Sequence, residues 1–172
     1  MKKVLVLALV AIFALSLSSC GKKEKTNTEK ITTAKGWVLK AATVTPAAGD
    51  YGTNWYENYL YEWDRDDIIV FNANGSFVIK PGSKLPEADK DGYAEEKAST
   101  WAFNSDETKV KMQIPFFMDL SDDPARTFNA QFEEPEISSL TETEMVLIYK
   151  ANMDFDAKGT DHTWTLTYQA VK

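Results

Sequence analysis

From residue 163 to residue 170 the chain alternates without a break. Trp164, Leu166, Tyr168 and Ala170 are apolar, and Thr163, Thr165, Thr167 and Gln169 separate them. A period of two puts all four apolar side chains on one face of an extended strand, which has to be buried. The same signature recurs along the chain. Gly36–Val44 is β-branched and alternating, and Asp67–Phe71 and Ser76–Lys80 flank Asn72-Ala73-Asn74-Gly75. Asn and Gly tolerate positive φ, so residues 67–80 predict a hairpin. Residues 97–103 and 109–114 predict a second hairpin, with Val110, Met112 and Ile114 facing in and Lys109, Lys111 and Gln113 facing out. Thr127–Phe132, Glu144–Ala151 and Thr163–Val171 complete eight predicted strands. No long apolar stripe of helical period is present; Asp122 and Asp123 before Pro124 predict at most a short helical turn over 121–126. The prediction is an all-β, eight-stranded antiparallel up-and-down barrel, with a two-sheet sandwich as the competing solution.

The N-terminus predicts an address. Lys2 and Lys3 precede an apolar run from Val4 to Leu17 broken only by Ser16, and Leu17-Ser18-Ser19 leads into Cys20, the only cysteine. This is the layout of a secretory signal, and it resembles a bacterial lipobox. That resemblance implies cleavage after residue 19, diacylglycerol and palmitate on Cys20, and a membrane partner reached through the lipid anchor. A spanning helix would need about 20 apolar residues. Residues 21–35 are polar and lysine-rich with no aromatic residue, and predict a flexible tether. The expected organisation is thus a signal peptide over 1–19, lipidated Cys20 with a tether to 35, and a barrel domain over 36–172.

Removing residues 1–19 leaves 17 basic against 26 acidic side chains. Such a chain repels phosphate backbones, so no nucleic-acid partner is expected. With Cys20 acylated no disulfide is available, and stability has to come from packing of the Trp, Tyr and Phe side chains.

Particular residues now carry a resemblance. Gly36-Trp37 opens the first strand, Asp66-Asp67 leads into Ile69-Val70-Phe71-Asn72-Ala73-Asn74-Gly75-Ser76-Phe77, Trp101-Ala102-Phe103-Asn104 follows, and Ile137-Ser138-Ser139-Leu140-Thr141 precedes a Leu-containing strand. Over most of residues 34–171 this resembles the lipocalin-like lipoproteins of Bacteroidetes. The resemblance implies a lipocalin-like barrel that binds a small apolar or amphipathic molecule; the alternative is a packed envelope interaction or inhibitor protein. Carbohydrate association is a third reading.

Tyr51–Trp63 is the most unusual stretch, with Tyr51, Trp55, Tyr56, Tyr59, Tyr61 and Trp63 within 13 residues. Trp55, Tyr56, Tyr59, Tyr61 and Trp63, together with Trp101, are the candidate ligand contacts, since such rings stack on a ligand while their polar atoms bond to it. A cap over one end of the barrel is the competing reading of the segment. Trp37, Phe71, Phe77, Trp101, Phe128, Tyr149 and Trp164 are expected in the core.

Metal and catalytic constellations are not expected. Asp154, Asp156 and Asp161 start like a calcium loop, but Lys158 stands at position five and Thr165 at position twelve. Asp64, Asp66 and Asp67 are read as solvated acids. His162 is the only histidine, is expected at the surface, and has no Cys or second His to join it. No nucleophile elbow or phosphate-cradling glycine loop is present. No cofactor and no enzyme activity are expected. With a tether lacking an acidic run, the expected location is the periplasm-facing outer membrane.

Overall fold

The computed structural model describes residues 24–85, 96–112, 134–152 and 161–172. Eight strands form a single antiparallel sheet: β1 Trp37–Thr45, β2 Ile68–Phe71, β3 Ser76–Lys80, β4 Lys97–Phe103, β5 Val110–Met112, β6 Glu136–Leu140, β7 Glu144–Asn152 and β8 Asp161–Ala170. Their order is β5-β4-β3-β2-β1-β8-β7-β6, which is a ring of consecutive strands cut between β5 and β6. Among the described residues no ladder closes the cut. The two edges touch at one bridge, Lys109 to Glu136. Val110 N–H donates to the Pro135 carbonyl at 3.2 Å and Ile137 N–H to the Thr108 carbonyl at 2.8 Å.

Side-chain parity explains which face packs. Trp164, Leu166 and Tyr168 of β8 and Met145, Leu147 and Tyr149 of β7 are all buried. In β1 the buried set shifts from Trp37 and Leu39 to Ala42 and Val44, because a bulge lies between Leu39 and Ala41. Phe71 stands opposite Phe77 across the β2–β3 ladder, and Ile69 opposite Ile79. Trp37, Phe71, Phe77, Trp101, Tyr149 and Trp164 are buried as expected; Phe128 lies outside the described residues.

The strand predicted over 127–132 also lies outside the described residues. The sixth strand that the structure describes is β6, which sequence reading passed over. Its ladder to β7 is irregular between Ile137 and Ser139, so Ile137 and Leu140 fall out of period two. The predicted turn over 121–126, and Cys20 with the signal, are likewise outside the described residues.

One expectation is corrected. Residues 27–33 of the predicted tether are a helix, α1 (Asn27–Thr33). Thr26 and Glu29 form a reciprocal capping box, Ile31 is 1% exposed, and the Trp37 indole N–H donates to the Ile31 carbonyl at 2.9 Å. One apolar residue sufficed, because α1 has only to cover the sheet end beside Trp37. Gly36 makes the entry from α1 into β1, at φ 152°, where a Cβ would collide with the Ile68 side chain.

Antiparallel order puts successive connections at alternate ends. At one end the chain between strands is short: 72–75, 104–109 and 141–143. At the other it is long: 46–67, 81–96, 113–135 and 153–160. Helix α1 lies at the short-turn end, with Trp37. No helix among the described residues is long and apolar enough to cross a membrane.

Candidate functional site at the long-connection end

The aromatic segment is built onto the end of β1. The chain leaves β1 through a cis Thr45–Pro46 bond, turns through a short 3₁₀ segment at Gly49–Tyr51, and returns so that Asn54 bridges Thr43. Val44 N–H donates to the Thr53 carbonyl at 3.0 Å. Asn54 then caps α2 (Trp55–Asn58) by accepting from Glu57 N–H. These bonds drop Trp55 onto the interior face: it is 0% exposed, with its ring 4.4 Å from that of Trp164, edge to face.

Tyr59 stacks on Trp55 at 3.9 Å, and Tyr51 meets both rings edge-on at 5.4 and 5.1 Å. Beyond the helix, Arg65 holds the open carbonyls. Its Nε and Nη2 donate to the Leu60 carbonyl at 3.1 and 2.8 Å, and Nη1 donates to Glu57 Oε2 at 3.1 Å. The guanidinium carbon sits 4.9 Å from the Tyr56 ring centroid.

The six candidate contacts therefore separate. Trp55 and Tyr59 belong to a cap that is continuous with the core. Tyr56 is half-buried beneath Arg65. Tyr61 is 62% exposed and stacks on half-buried Trp63 at 4.6 Å, so this pair forms the outer edge of the segment. Trp101 lies at the opposite end of the sheet. It is 7% exposed, and its indole N–H donates to the Asn72 carbonyl at 3.0 Å. A wide, open groove of about 330 Å³ runs there along Thr28, Gly75, Trp101, Phe103 and Glu107, away from the aromatic segment.

The interior below the cap holds polar groups among apolar walls. Tyr149 and Tyr168 are fully buried, and burial pushes both phenols well above the ordinary tyrosine value, so they are protonated at neutral pH. A protonated phenol both donates and accepts, which suits it to orient an amphipathic molecule. His162 corrects a second expectation: it is 2% exposed, not at the surface, with its ring 6.3 Å from Trp164. The signal was available, since His162 shares the parity of Trp164, Leu166 and Tyr168.

The acidic segment before β2 is structural. Asp66 Oδ2 accepts from Ser83 N–H, the Ser83 hydroxyl and Lys84 N–H at 2.8, 3.1 and 3.0 Å, and Asp67 Oδ1 accepts from Gly82 N–H at 3.0 Å. Among the described residues no three His, Cys, Asp or Glu side chains gather as a metal site. Of the calcium-like loop over 154–161, only Asp161 is described.

No family model and no curated protein matches the chain. Solved structures similar to it include bovine odorant-binding protein in complex with a selenium-containing odorant, at 11% identity over 88% of this chain and 76% of that one, with a TM-score of 0.40. The bovine lipocalin allergen Bos d 2 is 10% identical over 84% and 75%, with a TM-score of 0.42. Aphrodisin, a sex pheromone from female hamster, is 5% identical over 81% and 75%, with a TM-score of 0.36. The superpositions are loose, and the fold described above stands on the strand order of this chain itself.

Proposed function

We propose that this chain is a lipid-anchored, lipocalin-like barrel protein of the cell envelope that encloses a small apolar or amphipathic molecule, with no catalytic step. One observation carries the reading: a ring-ordered sheet turns its aromatic residues inward beneath an aromatic cap, at the end where every long connection lies. Apolar walls desolvate a ligand, and a few fixed polar groups orient it. Tyr149 and Tyr168 are the phenols suited to that role. Closure of the ring between β5 and β6, acylation of Cys20 and an outer-membrane location are parts of the same proposal.

A second reading has support of its own. Trp55, Trp164, Tyr149 and Tyr168 fill much of the same interior, while Tyr61, stacked on half-buried Trp63, faces outward. A packed barrel contacting an envelope protein through that rim fits these observations.

Mass spectrometry of small molecules retained by the natively extracted protein, with titration by N-phenyl-1-naphthylamine, separates the two. Enclosure predicts a retained apolar molecule, saturable probe binding, and quenching of tryptophan emission as the probe enters. A protein that retains nothing and leaves the probe dark supports the packed reading.

A further inference from the structure

We infer that the short-turn end of the sheet faces the membrane surface and that the long-connection end, with its aromatic cap, faces away from it into the aqueous phase. This rests on the reading of Cys20 as the acylated residue. The argument is one of reach. Glu24 is four residues from Cys20, and an extended chain covers about 3.3–3.6 Å per residue, so the acyl attachment lies within about 14 Å of Glu24.

From Glu24 onward the chain is fixed to the short-turn end. Lys25 Nζ lies 3.0 Å from Glu142 Oε2 in the turn between β6 and β7. Thr26 and Glu29 cap α1, and the Ile31 carbonyl accepts from the Trp37 indole. Trp37 starts β1, whose far end carries the aromatic cap. Strand β1 is nine residues long, so at about 3.3 Å per residue the cap stands about 30 Å farther along the sheet than α1. The slack in the anchor is about half that distance and cannot bring both ends equally close to the lipid.

The test uses the full acylated chain in vesicles of phosphatidylethanolamine and phosphatidylglycerol containing a nitroxide-headgroup lipid. Cys20 is the only native cysteine, so single cysteines at exposed positions can be labelled with bimane: Ala73→Cys and Ser105→Cys at the short-turn end, Ala47→Cys and Thr53→Cys at the other. The expected result is quenching about threefold or more stronger at positions 73 and 105, given that separation along the strands. Equal or reversed quenching in protein that floats with the vesicles overturns the inference and leaves the anchor reading intact. Protein that fails to float overturns the anchor reading, and the inference with it.

Discussion

Trp55 and Tyr61 are six residues apart, yet they do opposite things. The Trp55 ring is sealed between Tyr59 and Trp164, whereas Tyr61 rests on Trp63 with most of its surface in water. Trp55→Ala leaves a cavity in the core and is expected to cost about 3–5 kcal/mol. Tyr61→Ala removes an exposed ring and should shift stability by no more than about 0.5 kcal/mol. Urea denaturation of the two variants checks the contrast. Equal losses would place both rings in the core. The buried phenols give a second residue-level expectation. Tyr149 and Tyr168 titrate higher in the folded chain than in the unfolded chain, where a tyrosine loses its proton near its ordinary value of 10.0. The raised value means that their contribution is complete below pH about 10 and is lost as the pH rises above it. Stability should therefore be insensitive to these two groups through neutrality and then fall by up to about 1.4 kcal/mol per pH unit for each buried phenol. Absorbance of tyrosinate at 295 nm, recorded with circular dichroism, should show a late fraction of the tyrosines ionising together with unfolding. Full ionisation while the sheet persists would contradict the burial.

Helix α1 shows how little sequence an element needs when the rest of the fold supplies its partner. Its capping box and a single buried isoleucine hold it across the short-turn end. Thr26→Ala should cost about 1 kcal/mol through the lost cap, and Ile31→Ala about 2 kcal/mol or more through the lost contact. Equilibrium unfolding measures both; if neither variant is destabilised, α1 does not contribute to the folded sheet. This element also marks where sequence reading fell short. Thr26 and Glu29 stand three apart, as a capping box requires, whereas polar, lysine-rich composition alone predicts a tether. The hairpin over 68–80 was legible because turn chemistry and alternation agreed, and β8 because its alternation is uninterrupted. β6 was not legible, since its irregular register breaks the period and two serines occupy its centre. For the candidate site, the aromatic segment and its place at the long-connection end could be read from the order of strands. Which rings turn inward could not, because that is decided by tertiary bonds: the bridge from Asn54 to Thr43 and the Arg65 clamp on the carbonyls of Glu57 and Leu60. Trp101 was grouped with that segment by residue type alone, although β4 carries it to the other end.

At the scale of the whole molecule, stability is distributed unevenly across the sheet. Strand β8 is laddered to β1 from Trp37 to Thr45, and to β7 from Glu144 to Asn152. Among the described residues strand β5 pairs with β4 through Val110–Met112, and the bridge between Lys109, just before β5, and Glu136 joins its edge to β6. Backbone amides open with a free energy set by how much cooperative structure must break, so short ladders at a sheet edge exchange first. Hydrogen exchange followed residue by residue should find β1, β7 and β8 protected close to the global limit, β2 and β3 next, and β5 and β6 least. The junction also gives enclosure a distinct signature. A molecule held inside against both edges bridges the cut, because the interior face continues from β5 through β4 on one side and from β6 through β7 on the other. Its binding energy then opposes separation of the two edges, and exchange at Val110 and Ile137 should slow by about as much as exchange in β8 when a saturating apolar ligand is added. A partner bound at the Tyr61–Trp63 rim gives another pattern, with protection gained in 51–65 and the β5–β6 junction left unchanged. The same measurement thus ranks the strands by stability and distinguishes a filled interior from an occupied rim.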